Sequence, residues 1–144
     1  MIVVDTSVWV DVARRPASDR ARLFHQLLDA DEVAVALPVR IELMSGVART
    51  QRKLFRRTLS ALPVLRPAEG TWTLLESWIE PASDKGFRFS IPDLLIAALA
   101  QELDALVWSL DADFEAMEEL GMVRLYPGHP HSATATSSAP RSSR

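Results

Sequence analysis

Ile2-Val3-Val4-Asp5-Thr6-Ser7-Val8-Trp9-Val10 is the stretch on which the fold turns. An unbroken β-branched run ends on an acid, and Thr-Ser follows at once. Continuous rather than alternating apolar residues suit a strand covered on both faces. Asp, Thr and Ser are good helix caps, so the chain passes from strand to helix with almost no loop. The same transition recurs downstream. Val33 to Leu37 runs into Pro38, which suits the first turn of a helix. Ala105 to Trp108 runs into Ser109-Leu110-Asp111-Ala112-Asp113. Leu62 to Leu65, interrupted by Pro63, and Met122 to Tyr126 complete five apolar runs.

Helical patterns fill the intervals. They span Ser7 to Arg14, Ser18 to Ala30, and Pro38 to Ser45 with Gly46 as a stop. Arg49 to Leu59 is a basic one, and Gly70 to about Glu80 places Trp72, Leu75, Trp78 and Ile79 on one side. Pro92 to Leu103 is strongly apolar, and Asp113 to Glu119 is closed by Gly121. Strands alternating with helices predict an α/β fold, with a mainly parallel sheet of about five strands flanked by helices.

The chain has 144 residues, 16 Lys plus Arg, 19 Asp plus Glu and no cysteine. Its length suits one domain with a real core. Without cysteine there is no disulfide framework, thiolate nucleophile or Cys-ligated zinc. No apolar run approaches a membrane span, and no basic region precedes the first one, so a cytoplasmic location is expected. From Pro127 the chain reads PGHPHSATATSSAPRSSR, with nothing large and apolar. Such a segment cannot offset its ordering entropy, so residues 1–126 are expected to fold and 127–144 to form a disordered tail. The His129-x-His131 pair falls in that tail and reads as linker. The tail holds two Arg and no acid, so the folded part is more acidic than the net −3 of the whole chain. That average argues against a globally basic nucleic-acid binder.

The acids are not scattered. Parallel sheets place ligand sites at the carboxyl ends of their strands. Asp5 follows the first strand, and Asp111 and Asp113 follow the fourth apolar run. Glu42 sits inside Pro38-Val39-Arg40-Ile41-Glu42-Leu43-Met44, between apolar neighbours. Asp93 begins the apolar Ile91-Pro92-Asp93-Leu94-Leu95-Ile96-Ala97-Ala98 helix. Asp5 or Asp93 alone is equally well explained as a helix cap or dipole partner. Together the acids form an all-oxygen donor set, which selects Mg²⁺ or Mn²⁺ over zinc. At about 4 Å each carboxylate pair repels by roughly 1 kcal/mol in water and about 4 at an effective dielectric of 20. A convergent set therefore calls for a cation.

These stretches resemble the four motifs of PIN-domain ribonucleases, above all the VapC-type toxins of bacterial toxin–antitoxin pairs. Ile2 to Val10 resembles the first motif, a strand ending in Asp-Thr-Ser. Arg40-Ile41-Glu42-Leu43-Met44-Ser45-Gly46 is similar to the second, a helix carrying Glu. Ile91 to Ala98 is similar to the third. Ser109-Leu110-Asp111-Ala112-Asp113-Phe114 resembles the fourth, with Ser109 where Thr is common. The likeness runs from residue 2 to about 125. It implies a PIN-like three-layer fold and a Mg²⁺- or Mn²⁺-dependent endoribonuclease. By the same resemblance Asp5, Glu42, Asp93 and Asp111 hold metal directly or through water, and Asp113 is a lower-ranked ligand. Thr6, Ser7 and Ser109 are either supporting hydroxyls or plain caps. VapC-type proteins form homodimers and bind a small VapB-like antitoxin, so both partners are expected beside the RNA substrate, with no membrane.

Between Glu42 and Glu69 there is no acid, while Arg49, Arg52, Lys53, Arg56, Arg57 and Arg66 are basic. Arg49, Arg52, Lys53 and Arg56 fall on one face of the expected helix. They are either a solvated face or a stripe that follows RNA phosphates. The four Trp are expected in core or interface. Rival readings remain at this level. A Toprim-like metal-carboxylate domain opens with Glu-Gly rather than Asp-Thr-Ser. A receiver-like binding module wants a Lys after its last strand, and Lys53 and Lys85 are elsewhere. A haloacid-dehalogenase-like phosphatase wants a second acid where Ser7 stands.

Overall fold

The computed structural model describes residues 1–127, so the tail expected over 127–144, with His129 and His131, lies almost wholly outside the described residues. The elements are β1 (Ile2–Val4), α1 (Thr6–Arg14), α2 (Asp19–Asp29), β2 (Val33–Ala36), α3 (Leu37–Gly46), α4 (Arg52–Ser60), β3 (Val64–Leu65), α5 (Glu69–Asp84), α6 (Ile91–Glu102), β4 (Leu106–Trp108) and α7 (Asp113–Glu119). The sheet order is β3-β2-β1-β4, and every pairing is parallel. β1 lies between β2 and β4, with Ile2 opposite both Val33 and Leu106. The chain builds one side of the sheet through β2 and β3, then crosses to place β4 on the other side of β1. Such a reversal of strand order opens a crevice at the carboxyl ends of the strands. Asp5 and Ser109 sit at that point, because Val4 pairs with Trp108.

Four strands form, not five. Met122 to Tyr126 contributes a single parallel bridge, Leu125 to Val107. Val107 N–H donates to Arg124 O at 2.9 Å, and Tyr126 N–H donates to Val107 O at 2.8 Å. The segment docks on β4 without extending far enough to be a strand. Pro63 has no N–H, so β3 is reduced to Val64 and Leu65.

The apolar runs are buried as their continuity requires. Val3, Val4, Val8, Val107, Trp108, Phe114 and Met117 are inaccessible to solvent. Phe24 on α2 meets Trp9 on α1 edge-on at 4.7 Å, and Trp108 lies 5.3 Å from Tyr126. Helix α6, buried from Leu95 to Ala100, packs on β1, β2 and β4.

Three expectations are corrected. The basic helix begins at Arg52, because residues 49–51 form a turn in which Gln51 N–H donates to Ala48 O. Helix α5 continues past Pro81 to Asp84: Pro81 is exposed, and Ala82 beyond it is buried and anchors the extra turn. On the same helix Leu75 and Trp78 are buried, but Trp72 and Ile79 are 46% and 60% exposed, so the apolar side is wider than the core it faces.

Candidate active site

Asp5 ends β1 and caps α1, accepting from the Ser7 backbone N–H. It is 6% exposed. Its Oδ2 accepts from Ser7 Oγ at 2.6 Å and from Ser109 Oγ at 2.8 Å. Each hydroxyl has one proton, already given to Asp5, so the 3.3 Å approach of Ser7 Oγ to Ser109 Oγ is a contact rather than a bond. The hydroxyl lone pairs are also used. Ser7 Oγ accepts from Leu110 N–H and Ser109 Oγ from Asp111 N–H, both at 3.0 Å. Two serines thus tie the end of β1 to the loop after β4. Among the described residues none donates to Asp5 Oδ1.

Ser109 is fully buried within this network. Ser109→Ala strands the Asp111 N–H and removes a donor from Asp5. It should cost about 1–3 kcal/mol of stability, the penalty of an unmet buried partner. Urea unfolding monitored by Trp fluorescence measures it, and an unchanged midpoint counts against the network.

Asp93 enters from α6. Ser90 caps that helix, its Oγ accepting from Asp93 N–H at 3.3 Å, and Pro92 fits the first turn. Asp111 Oδ1 accepts from Asp113 N–H at 3.0 Å, which fixes the turn into α7. Asp93, Asp111 and Asp113 each offer a carboxylate oxygen, all within 4.8 Å of one another. The electrostatics register the crowding. Burial pushes the Asp93 carboxyl up from 3.8 to about 6; the Ser90 hydrogen bond opposes this, and the charges of Asp5, Asp111 and Asp113 add to it. Asp113 is also raised, by burial and then by Asp111. The donors are oxygens only, and their mutual repulsion is what a cation would relieve. The set fits a hard divalent ion.

Glu42 stands apart from these three and is exposed on α3. Thr6 Oγ1 donates to its Oε2 at 2.5 Å, across 36 residues of sequence. Glu42 also borders a hollow of about 240 Å³ lined by Trp9, Val10, Leu43 and Phe55. Of the acids singled out in the sequence, Asp93, Asp111 and Asp113 come together, Asp5 is close enough to act on Asp93 by charge, and Glu42 is held by Thr6. Asp113, ranked lowest from sequence, belongs to the tight set.

The basic stripe is not one surface. Arg49 lies in the turn before α4, so it does not share a helical face with Arg52, Lys53 and Arg56. Arg52 and Arg56 line a groove with Arg40 of α3, and Lys53 does not. Sequence reasoning missed Arg40 and Ser90. Ser90 was findable, since Ser90-Ile91-Pro92-Asp93 is a capping pattern. Arg40 carries no local signal, because only the packing of α3 on α4 sets it beside the others.

Residues 2–120 match the PIN domain family. Ribonuclease VapC11 of Mycobacterium tuberculosis is 30% identical over 125 residues, covering 83% of this chain and 93% of that protein. The VapC ribonuclease Mb1587 of Mycobacterium bovis matches to the same extent. Among solved structures, VapBC-5 of M. tuberculosis, a member of the VapBC family of toxin–antitoxin systems, superposes with a TM-score of 0.59 at 25% identity, covering 85% of this chain and 94% of that one. VapBC2 of Rickettsia felis, solved on a DNA fragment from its promoter, gives 0.69 at 17% identity, covering 88% and 98%. These matches set aside the Toprim-like, receiver-like and phosphatase readings. A parallel four-stranded sheet with acids gathered where its strand order reverses, matched over nearly all its described length, places this chain in the PIN-domain family, among the VapC ribonucleases.

Proposed function

We propose that the chain is the endoribonuclease toxin of a type II toxin–antitoxin pair, hydrolysing RNA phosphodiesters with Mg²⁺ or Mn²⁺ held by clustered carboxylates. The observation that carries this is the Asp93, Asp111 and Asp113 set, with its oxygens within 4.8 Å. A divalent cation, when bound, neutralises charge on the phosphate and lowers the pKa of a coordinated water. The chain's own residues do the rest. Asp93, Asp111 and Asp113 hold the cation, with Asp5 beside them, clamped at one oxygen by Ser7 and Ser109. Glu42, held by Thr6 outside the tight set, would contact a bound cation through water. No covalent nucleophile is needed, and the chain has no cysteine to supply one.

The hollow beside Glu42, with Trp9, Val10, Leu43 and Phe55 in its lining, suits a helix of a VapB-like antitoxin. Exposed Trp72, beside Pro67, Pro92 and Leu95 at an apolar hollow, suits a homodimer. No helix among the described residues is long and apolar enough to cross a membrane, and a cytoplasmic setting is part of the proposal. We also extend it to a folded domain over 1–126.

The test is cleavage of a structured RNA by purified protein with Mn²⁺, with and without EDTA. Cleavage that stops with EDTA and returns with excess Mn²⁺ is expected. Cutting that persists in EDTA overturns the metal reading.

A further inference from the structure

We infer that Arg40, Arg52 and Arg56 form a phosphate-binding groove that seats the substrate RNA strand on the α3–α4 face beside Glu42. This rests on the nuclease reading and adds to it the surface that receives the strand.

Helix periodicity sets up one wall. Leu37, Arg40, Ile41, Met44 and Ser45 fall at i, i+3, i+4, i+7 and i+8, a single face of α3. Arg52 and Arg56, at i and i+4 on α4, form the other wall. The groove between them encloses about 390 Å³. Three arginines and the apolar Leu37, Ile41 and Met44 line it together. That combination matches a nucleotide, whose phosphate wants bidentate donors and whose base and sugar tolerate apolar contact.

The charge is uncompensated. Five ion pairs are found among the described residues, and none includes Arg40, Arg52 or Arg56. No acid lines the groove, and none occurs in the sequence between Glu42 and Glu69. Arg40 is only half-exposed, so its charge is partly withdrawn from water, and a partner anion gains more there than at a free surface. Arg15 and Arg20 pair with Asp11, Arg22 with Asp19 and Arg124 with Asp104, while Arg14, Arg49, Arg57, Arg66 and Arg88 join no ion pair either. What sets Arg40, Arg52 and Arg56 apart is that all three line one groove, where an anion from outside meets them together.

Position selects RNA among anions. Glu42 follows Ile41 and sits about 100° round the same helix. The groove shares Leu37 and Ile41 with the hollow that Glu42 lines, so a strand seated in it reaches Glu42 across Ile41, about 160° round α3 from Arg40. An acidic peptide would meet the same charges, but the groove's continuity with the hollow of Glu42 favours the strand that is cut.

The test measures anisotropy of a fluorescein-labelled single-stranded RNA from 50 to 300 mM KCl in EDTA, on the full chain, where no cutting occurs. The variants are the Arg40→Ala, Arg52→Ala, Arg56→Ala triple and, as a control on the same helix, Lys53→Ala. For the triple, the slope of log affinity against log salt should become shallower by about 2, at roughly 0.7 per lost phosphate contact on a single strand. Affinity at low salt should fall at least tenfold. Lys53→Ala should change neither by more than a fraction of that. Circular dichroism melting of each variant guards against misfolding, and Arg40→Lys on an Arg52→Ala, Arg56→Ala background should recover about 0.7 of the slope, one phosphate contact, but not full affinity. An equal slope for triple and wild type overturns the groove, as does an equal loss with Lys53→Ala, which would mean diffuse charge only. Mn²⁺-dependent cutting that survives in the triple with unchanged KM also overturns it while leaving the nuclease reading intact. A wild type that neither binds nor cuts RNA overturns both.

Discussion

Asp93→Asn should lower Mn²⁺-dependent RNA cleavage by about 10²–10³-fold, the usual cost of deleting one preorganised electrostatic contact, while making the metal-free protein no less stable. The two halves have one cause. Asp93 stands half-buried among Asp5, Asp111 and Asp113, and its carboxyl is pushed up to about 6. At neutral pH it is ionised against both its surroundings and its neighbours. Asn keeps the size and the backbone N–H that donates to Ser90 Oγ, and it removes the charge. Activity falls because an oxygen of the cation set is lost. Stability is retained or gained because repulsion is lost. Ordinary destabilisation moves both downward together, so paired measurements of initial cleavage rate and thermal midpoint separate the cases. A variant that cuts at wild-type rate removes Asp93 from the site.

Saturating Mn²⁺ or Mg²⁺ should stabilise the folded protein, by about 2.7 kcal/mol at a hundredfold excess over the dissociation constant. The pH dependence of that gain is fixed by sign. The folded Asp93 carboxyl binds its proton more tightly than the unfolded one, with folded and unfolded values of about 6 and 3.8. As pH rises through that interval the unfolded state loses the proton first, so this group's contribution to metal-free stability declines between them. Asp113 adds in the same direction. A cation must displace the proton on Asp93, so its stabilising effect grows as pH rises through 6 and levels off above. Calorimetric scans at pH 5 and pH 7.5, with and without Mn²⁺, should show the larger shift at pH 7.5. An equal shift at both pH values, or one kept by Asp93→Asn, places the ion elsewhere.

Much of this is legible in the sequence, and the limits are physical. β1 and α1 could be read because β-branched residues and a capping Asp are local signals, each sufficient over a few residues. Asp93 stood out because an acid opening an apolar helix is locally anomalous. Glu42 stood out likewise, yet its exposure depends on which face of α3 the core takes, and that is not local. Asp113 was ranked low because a second acid two residues on is usually a helix-start residue. Its membership follows from the turn made when its own N–H donates to Asp111 Oδ1. The fifth strand failed for a similar reason: apolar residues license pairing, but the docking of Leu125 on Val107 alone sets how long it lasts. Arg49 was misplaced by a helix start three residues later than its periodicity suggested.

The clamp on Asp5 has a consequence for how the protein is made. Its two hydroxyl donors come from residues 7 and 109, and the second lies 104 positions further along the chain. Asp111 and Asp113 arrive later still. During synthesis the first acid emerges almost at once, but the groups that hold it and complete its set emerge only near the end of the domain. An elongating or prematurely terminated chain therefore carries no assembled site. The order of residues along the chain thus delays assembly of the acidic set until the domain is nearly complete.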